Sequence, residues 1–178
     1  MWSSKPAGRG VGLLAVFLAL ALSACGYHFQ GAGGSTLPAH IKKIHIPIFD
    51  NQTLEQGIEV RLSDAIRTVI ISDGRVSLAN DLSDADALLQ GQVLQFRLRP
   101  IAFTRGDRTR EFRLRMTLRV SLRDLIDEKI VFRQTIVADR EYRVSGDVST
   151  NEQAQTEAAR LASEDIAREL QGLMIEGF

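Results

Sequence analysis

Cysteine is nearly absent: one residue, Cys25, in a chain of 178 that also holds only three histidines, four prolines and one tryptophan. A lone thiol excludes a disulfide framework, a multi-cysteine zinc site and an iron–sulfur cluster. An excess of charge of either sign is lacking as well, since 22 Lys+Arg balance 22 Asp+Glu, and this argues against a chain-wide polyanion binder. His28, His40 and His45 fall in no His-Glu-x-x-His pattern, and no Gly-x-Ser-x-Gly elbow occurs. No catalytic residue, metal site or cofactor motif is therefore read, and no enzyme is expected. Gly31, Gly33 and Gly34 lack the preceding strand, the following helix and the lysine that a phosphate-cradling loop requires. Asp84 and Asp86 read as loop and helix-start residues rather than as an acid/base pair. Long apolar runs are scarce too: the only one, residues 11–22, is well short of the roughly 20 residues that cross a bilayer core.

That short run has a context. Lys5 and Arg9 precede it, and Leu22-Ser23-Ala24 places small residues directly before Cys25. A positive segment, an apolar segment and a small-residue cleavage site in this order make a secretory signal over residues 1–24. Leu22-Ser23-Ala24-Cys25 resembles the bacterial lipobox, which implies cleavage before Cys25, an S-diacylglycerol thioether on its sulfur and an N-palmitoyl group on the new amine. One acyl chain anchors marginally and two or three anchor stably. Gly26 stands where an aspartate retains lipoproteins in the inner membrane, so the expected location is the outer membrane, lipid-anchored on the periplasmic side. Residues 25–38 read as the anchored cysteine and a Gly-rich tether, and residues 39–178 as the folded domain.

Within the domain, hydrophobic periodicity changes several times. Ile44, Ile46 and Ile48 alternate with polar residues or proline, and Pro47 predicts a sheet edge or a bulge. Thr53-x-x-Gln56 fits a capping box for a helix whose stripe is Leu54, Ile58, Leu62, Ile66 and Ile70, ending at Asp73-Gly74. A second strand puts Leu94, Phe96 and Leu98 on one face. The third alternates strictly, with Phe112, Leu114, Met116, Leu118, Val120 and Leu122 separated by Arg113, Arg115, Thr117, Arg119 and Ser121. Such a strand has one dry and one wet face. Ile130, Phe132, Ile136 and Ala138 continue the core-facing phase in a fourth. Ser149-x-x-Glu152 then opens a helix carrying Ala158, Ala162, Ile166, Leu170 and Leu173. The expected fold is an α+β two-layer sandwich, two helices on one face of a four-stranded mixed sheet, in the order β-α-β-β-β-α.

The neutral total hides an uneven distribution. Removal of residues 1–24 leaves 20 bases and 22 acids, and residues 97–143 alone hold twelve arginines and one lysine against seven acids. Arginine is the fork-shaped donor suited to phosphate and carboxylate. A nucleic-acid partner is not expected, because a secreted chain leaves the cytoplasm and no aromatic residues interleave with the arginines.

Cys25-Gly26-Tyr27-His28-Phe29 directly at the anchor, the β-α-β-β-β-α order, Thr109-x-Glu111-Phe112 at the start of the long strand and Asn151-Glu152-Gln153 near the start of the last helix together resemble the LptE family of lipopolysaccharide-assembly lipoproteins. The resemblance implies a plug and assembly partner of the LptD outer-membrane β-barrel that binds lipopolysaccharide. It places lipopolysaccharide contact at Arg105, in the loop before the long strand, with Arg108, Arg110, Arg113, Arg115 and Arg119 as further candidates. A second basic position of the family falls on Ser149, leaving Arg140 or Arg143 to substitute for it in space. The competing reading is a stand-alone periplasm-facing scaffold or anionic-ligand-binding lipoprotein without a barrel partner.

Overall fold

The computed structural model describes residues 37–103, 109–145 and 147–176. The chain divides into two units, Met1–Gly33 and Gly34–Phe178, and every described residue lies in the second. The signal segment, Cys25 and His28 therefore lie outside the described residues.

Six strands and two long helices make the domain: β1 (Lys43–His45), β2 (Asp50–Asn51), α1 (Ile58–Asp73), β3 (Ser77–Leu78), β4 (Ala87–Phe103), β5 (Thr109–Asp124), β6 (Ile130–Arg143) and α2 (Val148–Glu176). The sheet order is β3-β1-β4-β5-β6, with β2 also paired to β4. β1 and β2 run parallel to β4, while β4, β5 and β6 are successive antiparallel neighbours. The sandwich and the mixed sheet agree with the sequence reading, but the sheet has six strands rather than four. The two extra strands are two residues each, too short to carry a period that a sequence pattern could reveal. Among the described residues no helix is long and apolar enough to cross a membrane.

β1 does not sit at an edge, because β3 flanks it on one side and β4 on the other. Pairing stops at His45 and resumes at Asp50, and Pro47, which has no N–H to give a ladder, lies in the gap. The gap is occupied: the ring of Phe49 lies over Gly91, so close that a Cβ at Gly91 would stand 2.7 Å from it. The Phe49 N–H donates to the hydroxyl of buried Ser63 on α1 (3.0 Å), which fixes the segment against the helix.

α1 starts later than the capping-box pattern indicated. Gly57, at φ 80°, is its N-cap, and no side chain caps it. Thr53 belongs instead to a turn around Asn51, whose side-chain oxygen accepts from the Thr53 N–H and hydroxyl. Leu54 is consequently outside the helix and wholly exposed, while Ile58, Leu62, Ile66 and Ile70 are buried as the stripe requires. Gly74, at φ 73°, closes the helix in the left-handed conformation. The cap of α2 also differs from the expected one. Asp147, not Ser149, accepts the Thr150 N–H at 3.0 Å, together with the Ser149 and Thr150 hydroxyls. These bonds, the Thr150 hydroxyl first, lower the Asp147 pKa to about 2.

The helices pack on each other and cover the same side of the sheet, α2 chiefly over β5 and β6. Their apolar stripes and the inward residues of β4, β5 and β6 form one core in which Leu62, Ile66, Leu89, Met116, Leu118 and Leu170 are fully buried. Alanines 158, 159, 162 and 167 are all buried, and such small side chains let a helix approach closely. Leu37 is partly buried against the same core.

Two bulges adjust which residues face it. Val93 pairs with Leu118 and Gln95 with Thr117, so Leu94 is an extra residue without a partner strand residue. Leu89 and Val93 face inward before it, and Phe96 and Leu98 after it, although their parities differ. In β6, Leu122 pairs with Phe132 but Arg123 with Ile130. Ile130 is thereby turned to the outer side and is 52% exposed, contrary to the unbroken alternation of the sequence reading; Phe132, Ile136 and Ala138 are buried.

Candidate functional site

The side of the sheet that the helices leave open carries the arginines, and the strand register states which residues meet across it. Arg99 lies opposite Arg113, and Arg113 opposite Glu141; Arg97 lies opposite Arg115, and Arg115 opposite Asp139. Both acids are taken up. Arg115 forms a two-pronged pair with Asp139 at 2.8 and 2.6 Å, and Arg113 places Nε and Nη2 on one oxygen of Glu141 at 3.1 and 2.7 Å. The hydrogen bond from Arg115 holds the Asp139 carboxyl below the usual carboxylate range. Arg143 pairs with Glu111 at 2.8 Å. These pairs are solvent-exposed, a setting in which each adds about 0–1 kcal/mol to stability. Their larger effect is to neutralise part of the arginine stripe.

Further along the same face the pattern changes. Gln92, Arg119 and Thr135 form one cross-strand row, and Gln90, Ser121 and Arg133 form the next. Among the described residues no acid lies within ion-pair distance of Arg119 or Arg133. A shallow depression of about 540 Å³ opens here, lined by these two arginines with Gln90, Gln92 and Ser121, and walled by Pro47 and the half-exposed Ile48. Asp50 is the one acid of its lining.

The structure thus separates the sequence candidates. Arg105 and Arg108 lie outside the described residues, and Arg110 is placed only as the second residue of β5. Arg113 and Arg115 are committed to acids. Arg119 holds no acid and is joined by Arg133, which the sequence reading did not single out. Its signal was the placement of an arginine immediately after core residue Phe132, on the outer parity of β6. Neither expected substitute for the second basic position is free: Arg140 pairs with Asp165 of α2, and Arg143 with Glu111. Ser149 is itself occupied in the α2 cap.

One cluster could invite a metal reading. His40, Asp124 and Asp127 bring ligand atoms within 4.8 Å of one another. Asp124, however, is already engaged through both oxygens: one accepts from the Ile126 and Asp127 N–H groups at 2.9 and 3.0 Å, and the other meets His40 Nε2 at 2.7 Å. Burial opposes the charge of Asp124, but the Asp127 N–H, His40 and the Ile126 N–H outweigh it, and its pKa is lowered. The arrangement ties the segment before β1 to the β5–β6 turn.

Most of the domain matches a known family. The profile of the family described as LptE, lipopolysaccharide-assembly, matches residues 41–171. This chain belongs to the LptE family. The matched span runs from two residues before β1 into the last turns of α2, so family membership covers the entire sheet, all of α1 and most of α2. No curated protein matches the sequence. Among solved structures, lipoprotein B of Nitrosomonas europaea is 18% identical with a TM-score of 0.51, over 82% of this chain and 91% of that one. A hypothetical protein of Chlamydia trachomatis is 8% identical with a TM-score of 0.52, over 74% of this chain and 96% of that one. At such identities the likeness is one of fold.

Proposed function

We propose that this LptE-family chain is an outer-membrane lipoprotein, anchored through lipids on Cys25, that plugs and helps assemble an LptD-type β-barrel and contacts lipopolysaccharide there. The observation that carries the reading is the division of the sheet into a face covered by α1 and α2 and a face left open, polar and arginine-rich. A barrel lumen is itself polar, and a plug must offer it a hydrophilic surface with hydrogen-bonding groups along its length. β5 alone, at 16 residues, extends roughly 50 Å at about 3.3 Å per residue, long enough to span the height of such a lumen. The role is one of binding and assembly rather than catalysis. The basic residues at 105, 108 and 110 supply the anion-contacting groups for the phosphates of lipopolysaccharide.

The test is detergent extraction of outer membranes carrying the full chain with an affinity tag. Co-purification with a large β-barrel in constant ratio is the expected result. Recovery of the lipidated chain as a lone monomer overturns the plug reading and favours a stand-alone scaffold.

A further inference from the structure

We propose that the depression around Arg119 and Arg133 is an anion site for a phosphate group, separate from the arginines before and at the start of β5. Three observations converge on it. First, the two guanidinium groups hold no acid among the described residues, whereas Arg113, Arg115 and Arg143 on the same face each hold one. Unpaired arginines that line one cavity repel each other and gain most from a shared anion.

Second, their register suits a single ligand. Arg119 sits opposite Thr135 and Arg133 opposite Ser121, so the two arginines are diagonal neighbours on adjacent antiparallel strands. Diagonal positions are roughly 7–8 Å apart at the backbone, a gap that two long side chains close onto one tetrahedral anion. Third, the remaining polar lining is neutral and rich in donors: the amides of Gln90 and Gln92 and the hydroxyl of Ser121. A phosphate has more acceptor sites than two arginines fill, and these groups supply the rest.

Asp50 and Ile48 refine the ligand. Asp50 accepts one long hydrogen bond, 3.4 Å from Gln52, and its charge opposes an anion in the depression. Ile48 presents an apolar wall beside the arginines, being 57% exposed. A phosphate bearing an apolar substituent fits this pairing of chemistries, and a free phosphate satisfies the arginines alone. The inference rests on geometry and does not depend on a barrel partner or on the residues at 105 and 108.

The experiment uses the full chain purified in a non-ionic detergent, titrated by calorimetry with pyrophosphate and, separately, with dihexanoyl phosphatidic acid. Saturable binding that weakens about tenfold in Arg119→Gln and in Arg133→Gln is expected, as loss of one charge-assisted contact implies. Asp50→Asn should tighten binding severalfold, and Arg160→Gln, which removes the same charge from the helical layer, should leave it unchanged. Binding should also fall as salt rises. Equal dependence of both probes on the two arginines identifies free phosphate chemistry as sufficient, and binding of the lipid alone identifies a lipid headgroup. Absence of saturable binding by either probe, or binding indifferent to the Arg119→Gln/Arg133→Gln double variant with its circular dichroism unchanged, overturns the proposal. Co-purification with a barrel is unaffected by these outcomes, so the two readings fail separately.

Discussion

Gly91 occupies a position where one methyl group decides the packing. It pairs with Val120 on β5 and lies beneath the Phe49 ring, where an added Cβ would meet carbon atoms at 2.7 Å. Gly91→Ala must displace the ring or the strand, and overpacking of this kind costs about 1–3 kcal/mol. For a domain of this size each kcal/mol lowers the melting temperature by roughly 2–4 °C. The coupling has a direct check: with Phe49→Leu in the background, Gly91→Ala should cost less than it does alone, as a thermal-denaturation double-mutant cycle would measure. Additive losses would show that the ring is not what Gly91 accommodates. None of this was visible in the sequence, where no pattern links Phe49 to Gly91. The close approach arises between residues of two different strands' surroundings, far apart along the chain, and only the fold makes them neighbours.

At the scale of elements, the α2 cap carries a pH signature. Asp147 has a folded pKa of about 2, below the ordinary value of about 3.9. A depressed carboxylate contributes stability that is fully present above the ordinary pKa and is lost as pH falls through the folded one. Asp147→Ala should therefore melt at a lower temperature than the parent at pH 7, and the gap should narrow as pH drops from about 4 to about 2. A gap that stays constant over that window in circular-dichroism melts contradicts the assignment of the cap.

The helices and the longest strand were legible because each repeats its period many times: the four-residue stripe of α1 from Ile58, the Ala158–Leu170 stripe of α2 and the alternation of β5 all hold. Their starts were less legible. Thr53 and Ser149 carry the residue types of caps, yet a turn at Asn51 takes up the first, and the carboxylate of Asp147 takes up the hydroxyl of the second and caps the Thr150 N–H instead. Strands of two residues and bulges of one escape any periodic reading. A bulge reverses the parity of the residues beyond it, and for that reason Ile130, expected inside, stands outside.

Across the whole molecule, the arginines of the open sheet face divide into those that hold an acid and those that hold none among the described residues. Arginines that already hold acids must give up those partners before they can bind a ligand, and this lowers what they gain. Lipopolysaccharide binding should accordingly fall further, on the order of tenfold or more, in Arg119→Gln with Arg133→Gln than in Arg113→Gln with Arg115→Gln. Binding to immobilised lipopolysaccharide at constant salt, with folding verified by circular dichroism, measures both. A larger loss in the second pair would place the contact at the acid-paired arginines.

The sequence by itself determined the side of the sheet on which the arginines of β5 stand, because a period of two assigns every residue to a face without reference to any partner. It likewise determined the two amphipathic helices and the expectation of an anchor at the only cysteine. Which arginines are free was decided by tertiary structure alone. Glu141 and Asp139 lie 28 and 24 residues beyond the arginines they neutralise, and Arg133 meets Ser121 rather than an acid. Periodicity states which way a side chain faces; the register between β5 and β6, together with the bulge that closes their hairpin, states what it faces.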